Sequence, residues 1–226
     1  MVPTDGGRFA RARAKRRRTS VVVTRSSRPK EHGLLPGELD RPPAPAPRPP
    51  RVVESVAAAR LILEHEGAAA LTMRRLAEEL SIQAPSLYKH FSGKAALEAA
   101  LIEDALFAIG DVTHQALHEP GADGRLQNLL STYRLYCRAH PNLYRLATSG
   151  GLRRERLPEG LEAWAGNPWF VVTGDPSLAQ ALWSFAHGMV ILELDDRYPP
   201  GSDLDQTWRA GAAAFGAMAG PREAGG

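Results

Sequence analysis

The chain has one cysteine, Cys137, among 226 residues. A single thiol forms neither an internal disulfide nor a cysteine-based zinc cluster, so packing alone must hold the fold. On a helix such a residue is expected to be a small buried hydrophobe rather than a redox sensor. Long apolar runs are also missing. Nothing approaches the ~20 residues of a membrane span. Nor do the first forty residues hold the apolar core of a signal peptide, only Val21-Val22-Val23. These lacks point to the cytoplasm and exclude a membrane partner. No stretch of period-2 alternation, internal repeat, Gly-rich phosphate loop or nucleophile–base pair is present, which argues against an enzyme and against a bound cofactor. His187, Glu193, Asp195 and Asp196 are the nearest approach to a metal set. Their offsets do not share one helix face as i, i+3 or i, i+4 spacing would, so no metal is expected.

What is present is 43% hydrophobic residues in a chain long enough to bury a sizeable core. Charge is unevenly placed. Residues 1–50 hold 12 Lys/Arg against 4 Asp/Glu, and the remainder 16 against 21. Nine of the 18 prolines also lie in the first fifty residues. The run Arg11 to Arg18 (RARAKRRR) is followed by a Pro/Ala stretch, Arg41 to Pro50 (RPPAPAPRPP), which reads as an extended semi-rigid spacer. Residues 1–50 are therefore expected to be a disordered basic extension, and 221–226 a disordered tail. The basic run is open to three readings: an arm for a minor groove, a solvated tail, or translated sequence upstream of the real start.

From Arg51 the pattern is helical almost without interruption, and the fold class is all-α with about nine helices. Val52, Val56, Ala59 and Leu63 form one stripe of a helix ending at Gly67. Met73, Leu76, Ala77 and Leu80 mark a short helix with Thr72 as its N-cap. Pro85 opens a third, very short helix with Leu87 and Phe91 inward. A long helix follows, with Leu97, Leu101, Ala105, Ala108 and Val112 on one face. Leu126, Leu129, Tyr133 and Cys137 continue the theme up to His140-Pro141, and a short helix runs from Asn142 to Thr148. Residues 149–176 are rich in Gly and Pro, and helices there are assigned only loosely. Two apolar helices close the chain, at 177–196 and 203–219.

The segment Leu71 to Lys94, LTMRRLAEELSIQAPSLYKHFSGK, places two short helices about a four-residue turn, Ser81 to Ala84. Leu76, Leu80, Ile82, Leu87 and Phe91 can pack the pair together. A second helix held this way is presented to a major groove, whose base edges carry a distinct donor, acceptor and methyl pattern. With Leu87 and Phe91 inward, Pro85, Ser86 and Lys89 face out. They offer an apolar contact for a thymine methyl, a hydroxyl for a base edge and a cation for guanine or phosphate. Tyr88 and His90 flank that face, within reach of backbone phosphates. Lys94 adds an ammonium at a helix N-terminus, which favours an anion. Net charge over 51–97 is only +1 (6 Lys/Arg against 5 Asp/Glu), as suits a protein whose DNA contacts are completed by a second subunit or an arm.

"LTMRRLAEEL", "APSLYKHF" and "SGKAAL" together resemble the DNA-binding domain of TetR-family (tetracycline-repressor-type) regulators over residues 51–101. "LWSFAHGMVILEL", with Trp183 and His187-Gly188, resembles the tryptophan/histidine–glycine subgroup of that family's C-terminal domains. The resemblance implies a DNA-binding domain at 51–97 and a helical ligand-binding and dimerisation domain at 98–220. It implies a homodimeric repressor on a palindromic double-stranded operator, released by a small-molecule effector. By position it gives Thr72 and Arg74 a place on the DNA side, with Arg74 reaching a base or phosphate. Pro85 and Ser86 would meet base edges, Tyr88 and His90 the backbone, and Lys94 a phosphate. Ala84 stands where some members carry a polar base-reading side chain, and a thymine methyl is all it can meet.

For the C-terminal half, Leu178, Leu182, Phe185 and Met189 on one helix and Trp208, Ala212 and Phe215 on the other are expected to form the dimer interface. Gly211, Ala212, Ala213 and Ala214 would allow close approach in a four-helix arrangement. Tyr133, Cys137, Tyr144, Trp164, Trp169 and Phe170 supply more aromatic surface than a thin helical core requires, and apolar cavities with a few polar groups bind small molecules. Trp183 and His187 are candidates for the same cavity. The core alternative stays open for both, and a hydrogen-bonded core histidine is the favoured reading of His187. A constitutive DNA-architectural protein, or an enzyme in the C-terminal domain, are the rival functions. An enclosed pocket in each subunit would favour the effector-responsive regulator over the architectural protein.

Overall fold

The structure is a computed structural model that describes residues 42–118 and 124–219. The basic run at 11–18 and the tail at 221–226 lie outside the described residues. Among those described there are nine α-helices and no strand. They are α1 (Pro50–Glu66), α2 (Met73–Glu79), α3 (Ala84–Leu87), α4 (Lys94–His118), α5 (Arg125–Ala139), α6 (Pro141–Thr148), α7 (Leu161–Thr173), α8 (Pro176–Leu194) and α9 (Leu204–Ala219). None is long and apolar enough to cross a membrane.

Two packing centres organise the chain. The first joins α1, α2, α3 and the opening turns of α4 around Val56, Ile62, Leu63, Leu76, Leu87, Phe91, Leu97 and Leu101. Leu143 of α6 is buried in the same centre, and Leu146 and Ala147 pack against it. The second joins α5, α8 and α9 around Leu129, Leu130, Tyr133, Leu182, Ala186, Met189, Val190 and Trp208. The long helix α4 serves both. Its buried line runs Leu97, Leu101, Ala105 and Ile109, then Thr113, Ala116 and Leu117. Ala108 and Val112, expected on this face, are only half-buried. The buried line keeps to i, i+4 steps instead of stepping back by three at Ala108; on a helix of 3.6 residues per turn such a line winds slowly around the axis, because the wall that α4 meets changes along its length.

Local signals placed several boundaries. Thr72 caps α2 by accepting the Arg75 amide at 3.0 Å. Gly67 ends α1 with a φ of +85°, a left-handed conformation for which glycine carries no Cβ penalty. The turn of the helix pair spans Leu80 to Gln83 rather than 81 to 84, because Ala84 already begins α3 ahead of Pro85. Ser81 supplies the bend at a φ of +53°.

Residues 42–49, nearly all of the Arg41–Pro50 stretch expected to be a spacer in a disordered extension, are instead placed along α4, because side chains and backbone there find partners on that helix. Arg48 bonds the carboxylates of Glu103 at 2.9 Å and Asp104 at 2.6 Å, and Glu103 is only 6% exposed. The poorly defined stretch 149–176 also acquires order. α7 carries Pro168 in its interior, and the missing proline amide leaves the Trp164 carbonyl without its i+4 donor. His114 of α4 meets that carbonyl through Nε2 at 2.9 Å and stacks on the Trp164 ring. Gly110, one turn earlier on α4, makes room for the ring, since a Cβ there would collide with it.

Candidate nucleic-acid interface

A four-residue helix cannot persist by itself, because nucleation costs more than so few hydrogen bonds return. α3 persists because Leu87 and Phe91, on either side of its C-terminal turn, are buried against α1, α2 and α4. Burying one such side chain contributes roughly 1.5–3 kcal/mol. That anchoring decides what faces solvent. Pro85, Tyr88, Lys89 and His90 are exposed, while Ser86 and Ala84 are half-buried at the edge of the same face. Thr72 and Arg74 are exposed at the start of α2.

The cations of this half are mostly engaged. Arg74 pairs with Glu78 at 2.9 Å, and Arg75 forks onto Glu66 and Glu79 at 2.6 and 2.9 Å. Lys94 donates to the Ala68 carbonyl at 3.2 Å and lies 3.5 Å from Glu98. It thus pins the link between α1 and α2 to the first residue of α4. Exposed pairs of this kind contribute little and exchange readily for a phosphate.

α6 is where the DNA-side centre meets the rest of the fold. Glu64 of α1 accepts the amides of Asn142 and Leu143 at 3.2 and 3.3 Å, a cap supplied by a different helix. At its other end, Arg145 reaches Asp195 and the Leu194 carbonyl at the end of α8. Between them, the Tyr144 hydroxyl bonds the Tyr133 hydroxyl at 2.8 Å and Nδ1 of His187 at 2.6 Å. Trp183 stacks on His187, the ring centroids 5.5 Å apart.

Four of the residues expected at an effector cavity, Tyr133, Tyr144, Trp183 and His187, are therefore in one cluster. Cys137 is buried beside Tyr133, and burial pushes its thiol well above the ordinary range, so it is not a reactive thiolate. Burial raises both tyrosines in the same way. Two expected members stand apart: Trp164 packs with Leu161 and Ala165 against α4, and Phe170 is exposed on α7. The two clefts described are lined by other residues. One, about 380 Å³, lies between the start of α5 and α9; the other, about 210 Å³, lies between α4 and the segment after α6. Among the described residues no three His, Cys, Asp or Glu side chains gather as a metal set.

Burial holds the His187 imidazole below its ordinary pKa. The folded state thus binds its proton less readily than the unfolded chain does. Stability from this term is complete above the unfolded histidine value of about 6.5 and is lost as pH falls through the lowered folded value. The melting temperature of the wild type should accordingly drop on acidification more steeply than that of His187→Gln. Parallel profiles would detach the ring from any role in acid stability.

The residues expected at the dimer interface lie largely inside the subunit. Leu182, Met189, Trp208 and Ala212 are buried within the single subunit, with Phe185 and Phe215 half-buried against Trp208 and each other. Leu178 is half-buried as well. The strongest apolar stripes of α8 and α9 pack on α5 and on each other, and a Cβ at Gly211 would meet Phe185. The faces turned outward are Ser177, Ala181, Ser184 and Gly188 on α8, and Ala210, Ala213 and Ala217 on α9, with Trp183 43% exposed alongside. Also unforeseen was the polar knot of Arg134, Glu193, Asp205 and Trp208 that ties α5, α8 and α9. The Arg134–Asp205 bond within it spans 71 positions, so no spacing rule could have found it.

Residues 56–101 match the family described as bacterial regulatory proteins, tetR family. No curated protein matches the chain. Among solved structures, a protein of unknown function from Rhodococcus sp. RHA1 superposes with a TM-score of 0.61 at 21% identity, over 75% of this chain and 95% of the other. Apo ActR from Streptomyces coelicolor gives 0.56 at 20%, over 77% and 98%. TetR from Acinetobacter baumannii AYE gives 0.52 at 22%, over 74% and 94%. At these identities the likeness is one of fold. Residues 56–101 thus carry a helix-turn-helix of the tetR family of bacterial regulatory proteins, set on an all-helical fold that the chain shares with these structures.

Proposed function

We propose that the protein is a homodimeric repressor that holds a palindromic operator through α3 and releases it when a small molecule engages the cluster around Tyr144. The observation that carries the reading is the outward set Pro85, Ser86, Tyr88, Lys89 and His90 on a helix clamped by Leu87 and Phe91. Residues 51–97 form the DNA-binding domain and 98–220 the effector and dimer domain, with the basic extension 1–50 ahead of them. Two copies would set their α3 helices about 34–36 Å apart, one turn of the duplex.

The dimer joins the outward faces of α8 and α9. Their small residues let two pairs of helices approach as a four-helix bundle, and the partner would cover Trp183 and Leu192. The effector acts by population shift. A ligand that takes over the hydrogen bonds of Tyr144 or His187 displaces α6, which is tied to α1 by Glu64 and packed on the DNA-side centre through Leu143. The spacing of the two α3 helices then no longer fits the operator.

Selection of bound duplexes from a random pool tests the reading. A palindrome with half-sites about one turn apart is the expected result, and failure to enrich any sequence would sink it. On the selected operator, Tyr88→Ala should weaken binding to all duplexes alike. Lys89→Ala should change sequence preference by about 1–3 kcal/mol at a contacted base pair. Equal losses on operator and random DNA would remove Lys89 from base readout.

A further inference from the structure

Outside the helix-turn-helix, the segment Leu152-Arg153-Arg154-Glu155-Arg156-Leu157 between α6 and α7 carries three arginines in four positions. All three are exposed. Arg154 is engaged, forking onto Glu162 at 2.6 and 2.7 Å. Among the described residues, Arg153 and Arg156 have no acidic partner. Both line the cleft of about 210 Å³ whose opposite wall is the opening of α4: Ala95, Glu98, Ala99 and Ile102. Ala95 directly follows Lys94, the cation that ties α4 to the link between α1 and α2. The floor is Leu146 and Ser149 at the end of α6, and Leu146 itself packs against the DNA-side centre. The arginine segment therefore stands beside the helix-turn-helix. The one carboxylate in the cleft, Glu98, faces Lys94 at 3.5 Å.

Electrostatics gives this placement its meaning. Residues 51–97 have a net charge of only +1, and Arg51, Arg74, Arg75 and Lys94 all face carboxylates within that half or at its edge. DNA affinity rests largely on cations that neutralise phosphates and release counterions. Planar guanidinium groups bind phosphate oxygens in bidentate fashion. We infer that Arg153 and Arg156 form a second phosphate-binding element, which grips the operator backbone beside the phosphate reached from the start of α4. The inference rests on the DNA-binding reading above and adds a grip from the effector domain itself. A shift of α6 would move this element together with α3, so release of the operator would loosen both grips at once.

The test is the salt dependence of operator binding by the full chain, measured by fluorescence anisotropy. The double variant Arg153→Ala/Arg156→Ala should select the same palindrome and melt at the wild-type temperature, because both side chains are exposed. Its log-affinity slope against log salt should be shallower by about 0.9 for each phosphate no longer neutralised, up to about 3.6 for two arginines in each of two subunits. Arg153→Lys/Arg156→Lys keeps the charge and should restore most of the slope, and Arg154→Ala should leave it unchanged. Phosphate ethylation interference should disappear at specific backbone positions in the double variant, different from those that disappear in Lys94→Ala. A double variant that binds the palindrome with the wild-type slope and the wild-type interference pattern overturns the inference while leaving the DNA reading intact. A wild type that enriches no duplex overturns the parent reading instead.

Discussion

Ala213→Glu is expected to turn the dimer into monomers and to lower operator affinity by more than about 100-fold. Ala213 is exposed on the outward face of α9, one turn from Ala210 and Ala217. In the isolated subunit a carboxylate there stands at the rim of the open cleft between α9 and the start of α5, which Arg125 and Arg209 also line, so the monomer should keep its fold and its melting temperature. In the proposed bundle the same carboxylate meets its symmetry mate across a contact built for methyl groups, where a buried charge without a partner is strongly unfavourable. Losing the dimer removes the second half-site as an intramolecular event, and linkage of two sites typically multiplies affinity by about 10²–10⁴. Sedimentation gives the oligomeric state and anisotropy the affinity. Leu182→Glu is the contrast: Leu182 is fully buried within the subunit, so this change should unfold the protein rather than separate copies of it. If Ala213→Glu sediments as a dimer and binds the operator normally, the interface lies on another face.

His114→Ala should cost about 2–4 kcal/mol of stability, combining an orphaned buried carbonyl with the loss of an aromatic stack. The carbonyl is that of Trp164, which Pro168 deprives of its helical donor. The cause can be isolated by a double-mutant cycle. In a Pro168→Ala background the restored amide can bond the Trp164 carbonyl directly, so His114→Ala should then cost clearly less. Chemical denaturation of the four variants measures the coupling. An identical cost of His114→Ala in both backgrounds would mean that the carbonyl is not what His114 stabilises, leaving the ring stack as the whole effect.

The parts of this protein that were legible in the sequence are those governed by neighbours along the chain. Thr72 as a cap, Gly67 as a stop and the spacing of Leu87 and Phe91 are local rules, and each is realised. Exposure of Pro85, Lys89 and His90 follows from the same spacing, because a short helix with two anchored residues has only one face left. The cluster of Trp183, Tyr133, Tyr144 and His187 was half legible. Its members were candidates by residue type, but the bonds that join them span three helices. α7 escaped sequence reading because Pro168 and its glycines mimic a loop, and the donor that rescues the helix lies 50 residues away.

Helical periodicity by itself determined that α8 and α9 each have a strongly apolar stripe and a small-residue stripe. Which stripe meets the subunit's own core, and which is left for a second copy, was decided only by the tertiary structure. An amphipathic helix specifies that one face avoids water; it does not specify what covers that face. Here the large residues Leu182, Met189 and Trp208 fill the space against α5, where volume is needed. The alanines and glycine on the opposite faces remain outside because a thin layer of side chains has nothing further to bury within one chain.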